Sequence, residues 1–233
     1  MQKTQQVVWS LEQIQSYQAA SPFPHGIYDG LFDEEDLAAA EASFPEPEAM
    51  LGTEKFWHKY ENVQEGKLEV RHKTGMPEPV KKITEILKSD EWVEELRKLT
   101  GIPDLEVDRT LAGGGMHMIP QNGRLHVHVD FNRSGDYYRR LNLLLFLNKN
   151  WKEEWHGDLQ LWNDDGLVKR IWPELNRLVI FSTSDISWHG HPEPLEVPEG
   201  RMRKSIAAYY YSKEAPPGYL CDHSTVWWND IFR

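Results

Sequence analysis

A single cysteine, Cys221, stands among 233 residues. That excludes a disulfide framework and a cysteine-based zinc site. No stretch approaches the ~18 consecutive apolar residues of a membrane-spanning helix. The leading Met1-Gln2-Lys3-Thr4-Gln5-Gln6 has no apolar run of the kind a secretory signal carries. Basic residues are scarce too: 26 Lys and Arg against 37 Asp and Glu leave a net charge of −11 and a pI near 5.4. A general nucleic-acid binder needs a basic footprint, so that class is disfavoured, repair of alkylated nucleic acid included. A local basic pocket for an anion is compatible with the same balance. These absences lead us to expect a cytoplasmic chain that engages neither nucleic acid nor membrane; they leave its oligomeric state open.

What is present reads as a globular protein. Hydrophobic residues make up 39% and charged residues 27%, which places the chain away from disordered compositions. Ten Trp, nine Tyr and eight Phe suit a β-rich core or an aromatic-lined pocket. The length fits one large domain, since β barrels and sandwiches of roughly 200–250 residues are common as single domains. We expect residues 1–103 to be mostly helical support, 104–212 a catalytic β core and 213–233 a turn-rich tail pinned by Trp227 and Trp228.

Periodicity supports that division. Asp33 is a good N-cap for a helix running through Leu37 and the alanines to Phe44, where Pro45 stops it. A second helix runs from Glu78 to about Lys88, with Val80, Ile83 and Leu87 on one face. Ser89 caps a third, whose stripe is Val93, Leu96 and Leu99, and Gly101 and Pro103 end it. Between them, Phe56-Trp57-His58-Lys59-Tyr60 is an aromatic segment read as core packing. Beyond Pro103 the period drops to two. Short strands are expected around Leu105–Asp108, Gly115–Ile119, Leu125–Phe131, Leu141–Leu147, Gly157–Trp162, Arg177–Phe181 and Ser205–Tyr211. Helices followed by about eight strands with tight turns predict an all-β double sheet, or jelly roll, with flanking N-terminal helices.

The chemistry concentrates in Leu125-His126-Val127-His128-Val129-Asp130-Phe131. Alternate side chains of a strand share a face. His126, His128 and Asp130 therefore face one way and the apolar residues the other. Imidazoles and a carboxylate on the inner face of a buried sheet need compensation for their desolvation. A divalent metal supplies it, because two histidines and one carboxylate form the facial set of a non-haem Fe(II) site. The third ligand must come from a distant strand, and His189 in Ser187-Trp188-His189-Gly190-His191-Pro192 is the candidate. Further on, Arg201-Met202-Arg203-Lys204-Ser205 leads cations into a core strand of an acidic chain. Arg203 can hold a carboxylate bidentately, and Ser205 shares its strand face.

In the order H-x-D, then H, then R-x-S, these motifs resemble the Fe(II)/2-oxoglutarate-dependent dioxygenases, in their prolyl 4-hydroxylase-like branch. Leu125–Asn132, Arg140–Asn148 with Trp151, Gly157–Trp162, Asn176–Ser182, Ser187–Pro194 and Arg203–Ser212 carry the likeness. So does Pro22-Phe23-Pro24-His25 with Asp29 and Leu31. The resemblance implies a double-stranded β-helix. It implies His128, Asp130 and His189 as iron ligands, and Arg203 with Ser205 at the distal carboxylate of 2-oxoglutarate. Asn142, His117 and Tyr138 are candidates for lining the cosubstrate pocket. It also implies Fe(2+), 2-oxoglutarate and O2 as cofactor and cosubstrates, ascorbate as a candidate reductant, and release of succinate and CO2. A carboxylate at Asp130, where halogenating relatives carry a small residue, favours hydroxylation.

Other readings compete. His126 is taken as facing substrate or supporting a ligand, and His191 and Arg201 as weaker alternatives to His189 and Arg203. A metal-binding cupin-like protein or a non-catalytic jelly-roll module is the main rival. A cupin would carry a Glu where Phe131-Asn132-Arg133-Ser134 follows, and it gives no reason for Arg203-x-Ser205. The substrate class stays broad: a small molecule, a glycan or a peptidyl residue. The basic and aromatic 133–140 stretch leans towards an anionic or zwitterionic small molecule or a glycan.

Overall fold

The computed structural model describes residues 7–45, 64–65, 68–70, 76–109 and 114–231, with side chains described except at 64–65 and 68–70. The expected Phe56–Tyr60 segment lies outside them. Five helices are described: α1 (Leu11–Ala19), α2 (Glu34–Ala42), α3 (Glu78–Leu87), α4 (Asp90–Thr100) and the short α5 (Trp228–Ile231). Their ends follow from capping. Ser10 and Gln13 form a reciprocal capping box on α1, Asp33 caps α2, and Ser89 caps α4 by accepting from Trp92 N–H. Gly101 closes α4 in the left-handed conformation.

The strands are β1 (His25–Asp29), β2 (Gln64–Glu65), β3 (Leu68–Val70), β4 (Glu106–Val107), β5 (Gly115–Ile119), β6 (Arg124–Val129), β7 (Arg133–Ser134) and β8 (Tyr137–Phe146). They continue with β9 (Leu159–Asn163), β10 (Gly166–Ile171), β11 (Arg177–Ser182), β12 (His189–His191), β13 (Arg203–Ser212) and β14 (Val226–Trp227). One sheet has the order β1-β11-β8-β13-β5-β3, with β4 on β13 and β7 on β8; the other has β10-β9-β12-β6-β14, with β2 on β6. Every pairing is antiparallel. This is the double-stranded β-helix, with the amino-terminal helices packed outside.

Strand parity assigns each side chain to a layer. On β11, Leu178 and Ile180 join the core under the helices, while Val179 and Phe181 turn to the opposite side. On β13, Ile206, Ala208 and Tyr210 pack under the helices, and Ala207, Tyr209 and Tyr211 face away. The parity that sends those residues inward also sends Arg203 and Ser205 inward. Tyr210 ties the layers: its hydroxyl donates to Leu87 O at 2.8 Å and accepts from Trp92 Nε1 at 3.0 Å.

The structure corrects three sequence expectations. The basic and aromatic 133–140 stretch forms a tight hairpin, Arg133–Tyr138, running into β8, and Arg139 and Arg140 are buried strand residues. The turn-rich tail contributes a strand, because Val226 and Trp227 pair with Val129 and His128. The strict alternation of β6 is broken. His189 stands opposite His128, but His191 stands opposite Leu125, so β6 carries one extra residue there. Among the described residues, no helix is long and apolar enough to cross a membrane.

Candidate active site

The bulge in β6 decides which side chains reach the interior. Leu125 lines the cavity between the sheets, whereas His126 does not. Val127 and Val129 pack on Trp188, and Phe131 packs on Tyr209 and Tyr211 in another cluster. Gly190 makes the close strand approach possible. A Cβ at that position would meet Leu125 O at 2.8 Å and His126 O at 2.9 Å, contacts that backbone atoms cannot yield.

His128, Asp130 and His189 meet in this cavity, each offering one ligand atom, all within 4.8 Å of one another. His128 Nδ1 donates to His126 O at 2.8 Å, and His189 Nδ1 donates to Ser187 O at 2.9 Å. A carbonyl only accepts, so each ring carries a proton on Nδ1 and turns Nε2 towards Asp130. Those nitrogens lie 3.6 Å and 3.5 Å from the Asp130 carboxylate. Burial and the neighbouring His128 push His189 down to about 4, which keeps it neutral near pH 7. Burial opposes ionisation of Asp130, but Arg139 and the two imidazoles outweigh it and hold the carboxyl well below the usual range. Two imidazoles and a carboxylate form a donor set that fits a divalent first-row metal.

The same cavity is lined by Arg203, Ser205, His117, Asn142 and His191. Arg203 is 5% exposed. Its Nε donates to Gly157 O at 2.6 Å, and its guanidinium lies 4.8 Å from the centre of the Phe146 ring. Burial lowers its pKa to about 10, partly offset by Asp158, so it remains a cation. Asp158 is itself held bidentately by Arg170. A buried guanidinium facing a cavity, with no ion pair of its own among the described residues, is a ready anion site.

Other sequence candidates land elsewhere. Tyr138 packs edge-on against Tyr219, with ring centres 5.0 Å apart, and does not line the cavity. Arg201 donates to Lys149 O and lies over the Trp155 ring at 4.3 Å. His191 lines the cavity but falls outside the three-residue cluster. Asn142 spends its amide on Asp130 and Arg139. Arg139 was not anticipated as a site residue. Alternation along β8 would put it on the side of Leu141, Leu143 and Leu145; an extra residue in β8, where Tyr210 stands opposite Leu141 and Tyr211 opposite Arg139, brings it to the side of Asn142.

Residues 114–211 match the 2OG-Fe(II) oxygenase superfamily. A prolyl 3-hydroxylase of Mus musculus, OGFOD1, is 34% identical over 90 residues, covering 35% of this chain and 16% of that protein. The chain therefore aligns with about a sixth of that relative's length. In fold, it superposes on a Trichoplax adhaerens prolyl hydroxylase in complex with a hypoxia inducible factor peptide fragment. The TM-score is 0.61 at 15% identity, over 86% of this chain and 87% of that one. HygX of Streptomyces hygroscopicus, with nickel and 2-oxoglutarate bound, gives 0.58 at 10% identity over 97% and 100%. The matched region carries His128, Asp130, His189 and Arg203 and is similar to the 2OG-Fe(II) oxygenase superfamily, and the chain as a whole shares the fold of these solved structures.

Proposed function

We propose that the protein is an Fe(II)- and 2-oxoglutarate-dependent hydroxylase. In this reading His128, Asp130 and His189 hold the iron, and Arg203 and Ser205 receive the distal carboxylate of 2-oxoglutarate. The observation that carries the reading is the presence of two complementary sites in one cavity. An imidazole and carboxylate cluster would hold the metal, and a buried guanidinium with no ion pair among the described residues would hold an anion. A cupin-like binding module accounts for the first and leaves the second unexplained.

Bound there, iron and cosubstrate supply the oxidising equivalents, with succinate and CO2 as co-products. The chain's own part is placement and exclusion. Ser187 O and His126 O fix both ring orientations through Nδ1. Gly157 O fixes the Arg203 fork. Leu144, Leu159 and Phe181 supply apolar wall between the two polar ends, which keeps bulk water from the reacting centre. His117, opposite Ser205 in the β5–β13 pair, is assigned to the cosubstrate end.

For the substrate we favour a peptidyl residue, a prolyl ring above all. Two of the three named proteins are prolyl hydroxylases, and one of these carries a peptide in its complex. The lean towards an anionic small molecule loses its basis, because Arg139 is spent on Asp130 and Arg140 on Ser212 and Glu214 O. We place the reaction in the cytoplasm, as expected for a chain of this composition.

The test is succinate release from 2-oxoglutarate with Fe(II), ascorbate and O2, with and without proline-containing peptides. Wild type is compared with His128→Ala and Arg203→Ala. Turnover lost in both variants supports the assignment. Failure of the wild type to bind either a divalent metal or 2-oxoglutarate in calorimetry would end it.

A further inference from the structure

The two oxygens of Asp130 live in different surroundings. Oδ2 accepts from Asn142 Nδ2 at 2.7 Å and pairs with Arg139 Nη2 at 3.1 Å. Oδ1 faces His128 Nε2 at 3.6 Å and accepts no described hydrogen bond, whereas Oδ2, besides its two donors, lies 3.5 Å from His189 Nε2. The donors on Oδ2 are themselves fixed. Arg139 Nε donates to Asn142 Oδ1 at 2.9 Å, so the amide can only present its nitrogen to Asp130. The Arg139 guanidinium lies 3.7 Å from the centre of the Tyr209 ring and 4.9 Å from that of Phe131, and the residue is 3% exposed. A cation packed between two rings and bonded to two side chains has little freedom to turn.

We infer that Arg139 and Asn142 are positioning residues that commit Oδ2 of Asp130 to the protein and leave Oδ1 alone for the metal. The inference rests on the metal reading above. It matters because a carboxylate bound through both oxygens would fill a coordination position that the cosubstrate or O2 requires. The clamp holds one oxygen back by spending its lone pairs on two donors, one of them charged. It also halves the work of Asn142 as a pocket residue: the amide shapes the cavity wall and acts through Asp130.

Two measurements test this. The first is a crystal structure of the wild-type protein loaded with Mn2+. Expected is Asp130 coordinated through Oδ1, with Oδ2 still on Arg139 and Asn142. Coordination through Oδ2 or through both oxygens overturns the inference. The second is calorimetry of Mn2+ on the apoprotein, then of 2-oxoglutarate on the Mn2+-loaded protein. It compares wild type, Arg139→Met, Asn142→Leu and the double variant. Expected is a 2-oxoglutarate affinity about tenfold weaker in the double variant while Mn2+ affinity stays within about threefold of wild type. Arg139→Lys, which keeps the charge, should recover part of the loss in the Arg139 single variant. Equal weakening of both ligands with a falling melting temperature would mean a merely structural role and overturn the inference. If the variants do not fold, the wild-type structure decides. If the wild type takes up no Mn2+, the metal reading itself falls.

Discussion

The Nε of Arg203 donates to the carbonyl oxygen of Gly157 at 2.6 Å, and this is the one described hydrogen bond of a fully buried guanidinium. A charge so placed costs folding energy that Gly157 O and the more distant Asp158 offset in part, and that a bound anion would offset further. Arg203→Met should therefore leave the ligand-free protein at least as stable as wild type, because replacing a buried, unpaired charge by an apolar side chain is often neutral or stabilising. Its 2-oxoglutarate affinity should fall by about a hundredfold, the equivalent of losing two charge-assisted hydrogen bonds of about 1.5 kcal/mol each. Thermal melts and calorimetry, run on the same samples, check both halves. A destabilised variant with unchanged affinity would remove Arg203 from the anion site.

Gly157 is irreplaceable for two separate reasons. Its φ is +78°, and a Cβ there would run into Leu195 Cδ2 and sit 3.1 Å from Arg203 Cδ. The left-handed conformation alone costs a non-glycine residue about 1–2 kcal/mol, and the overlap adds about 1–3 kcal/mol. Gly157→Ala should lower stability by about 2–5 kcal/mol in denaturant titration. It should also weaken 2-oxoglutarate binding, since the displaced carbonyl no longer orients the guanidinium. Wild-type stability in this variant would show that the loop relaxes freely.

Much of this was legible in the sequence where the signal is local. Capping residues Asp33, Ser89 and Gly101 and the stripe Val80, Ile83, Leu87 announce their helices because each rests on neighbours a turn away. The inward parity of Arg203 and Ser205 follows from strand period two, and so does the continuous run Leu141–Leu147, whose strand is covered on both faces. Illegible were features that depend on partners remote in sequence. An extra residue in β6 exists only relative to β12, so the alternation of Leu125–Phe131 could not reveal that Leu125, and not His126, enters the cavity. Within the basic 133–140 stretch, nothing nearby in the chain announces the burial of Arg139 against Asp130 and Tyr209. The strand Val226–Trp227 is two residues long and has no period to read.

That short strand makes a second reporter of the site. Trp227 pairs with His128, and their ring centres are 5.2 Å apart at 40°. Ni2+ or Co2+ held by His128 should quench the Trp227 indole. Trp227→Phe should lose a discrete part of the metal-dependent fluorescence change while metal affinity by calorimetry stays within about threefold, because the aromatic contact survives. An identical quench in both proteins would mean that other tryptophans report the metal and that the tail strand does not lie on the metal strand in solution.

Away from the site, His25 makes folding stability depend on pH in a direction that can be worked out. His25 is 4% exposed; Nδ1 donates to Phe23 O at 2.9 Å, and Nε2 faces Lys169 Nζ at 3.0 Å. The lone pair on Nε2 accepts from the ammonium, so a proton there would set two cations against each other. Burial lowers the pKa of His25 below its ordinary 6.5 and Lys169 adds to the shift, with the Phe23 carbonyl opposing both. Below pH 6.5 the unfolded chain takes up a proton that the folded chain refuses. Stability from this pair is complete above that pH and is lost as pH falls through the lowered folded value. Denaturant titrations from pH 7.5 down to about 5 should show His25→Asn losing less stability on acidification than wild type. The difference should approach one proton, or about 1.4 kcal/mol per pH unit, where the two pKa values are well separated. Parallel pH profiles for the two proteins would mean that Lys169 swings away from His25 and that the imidazole titrates normally. Lys169→Met separates the two causes: it should restore only the part of the shift that the ammonium contributes, leaving the larger part, due to burial, in place.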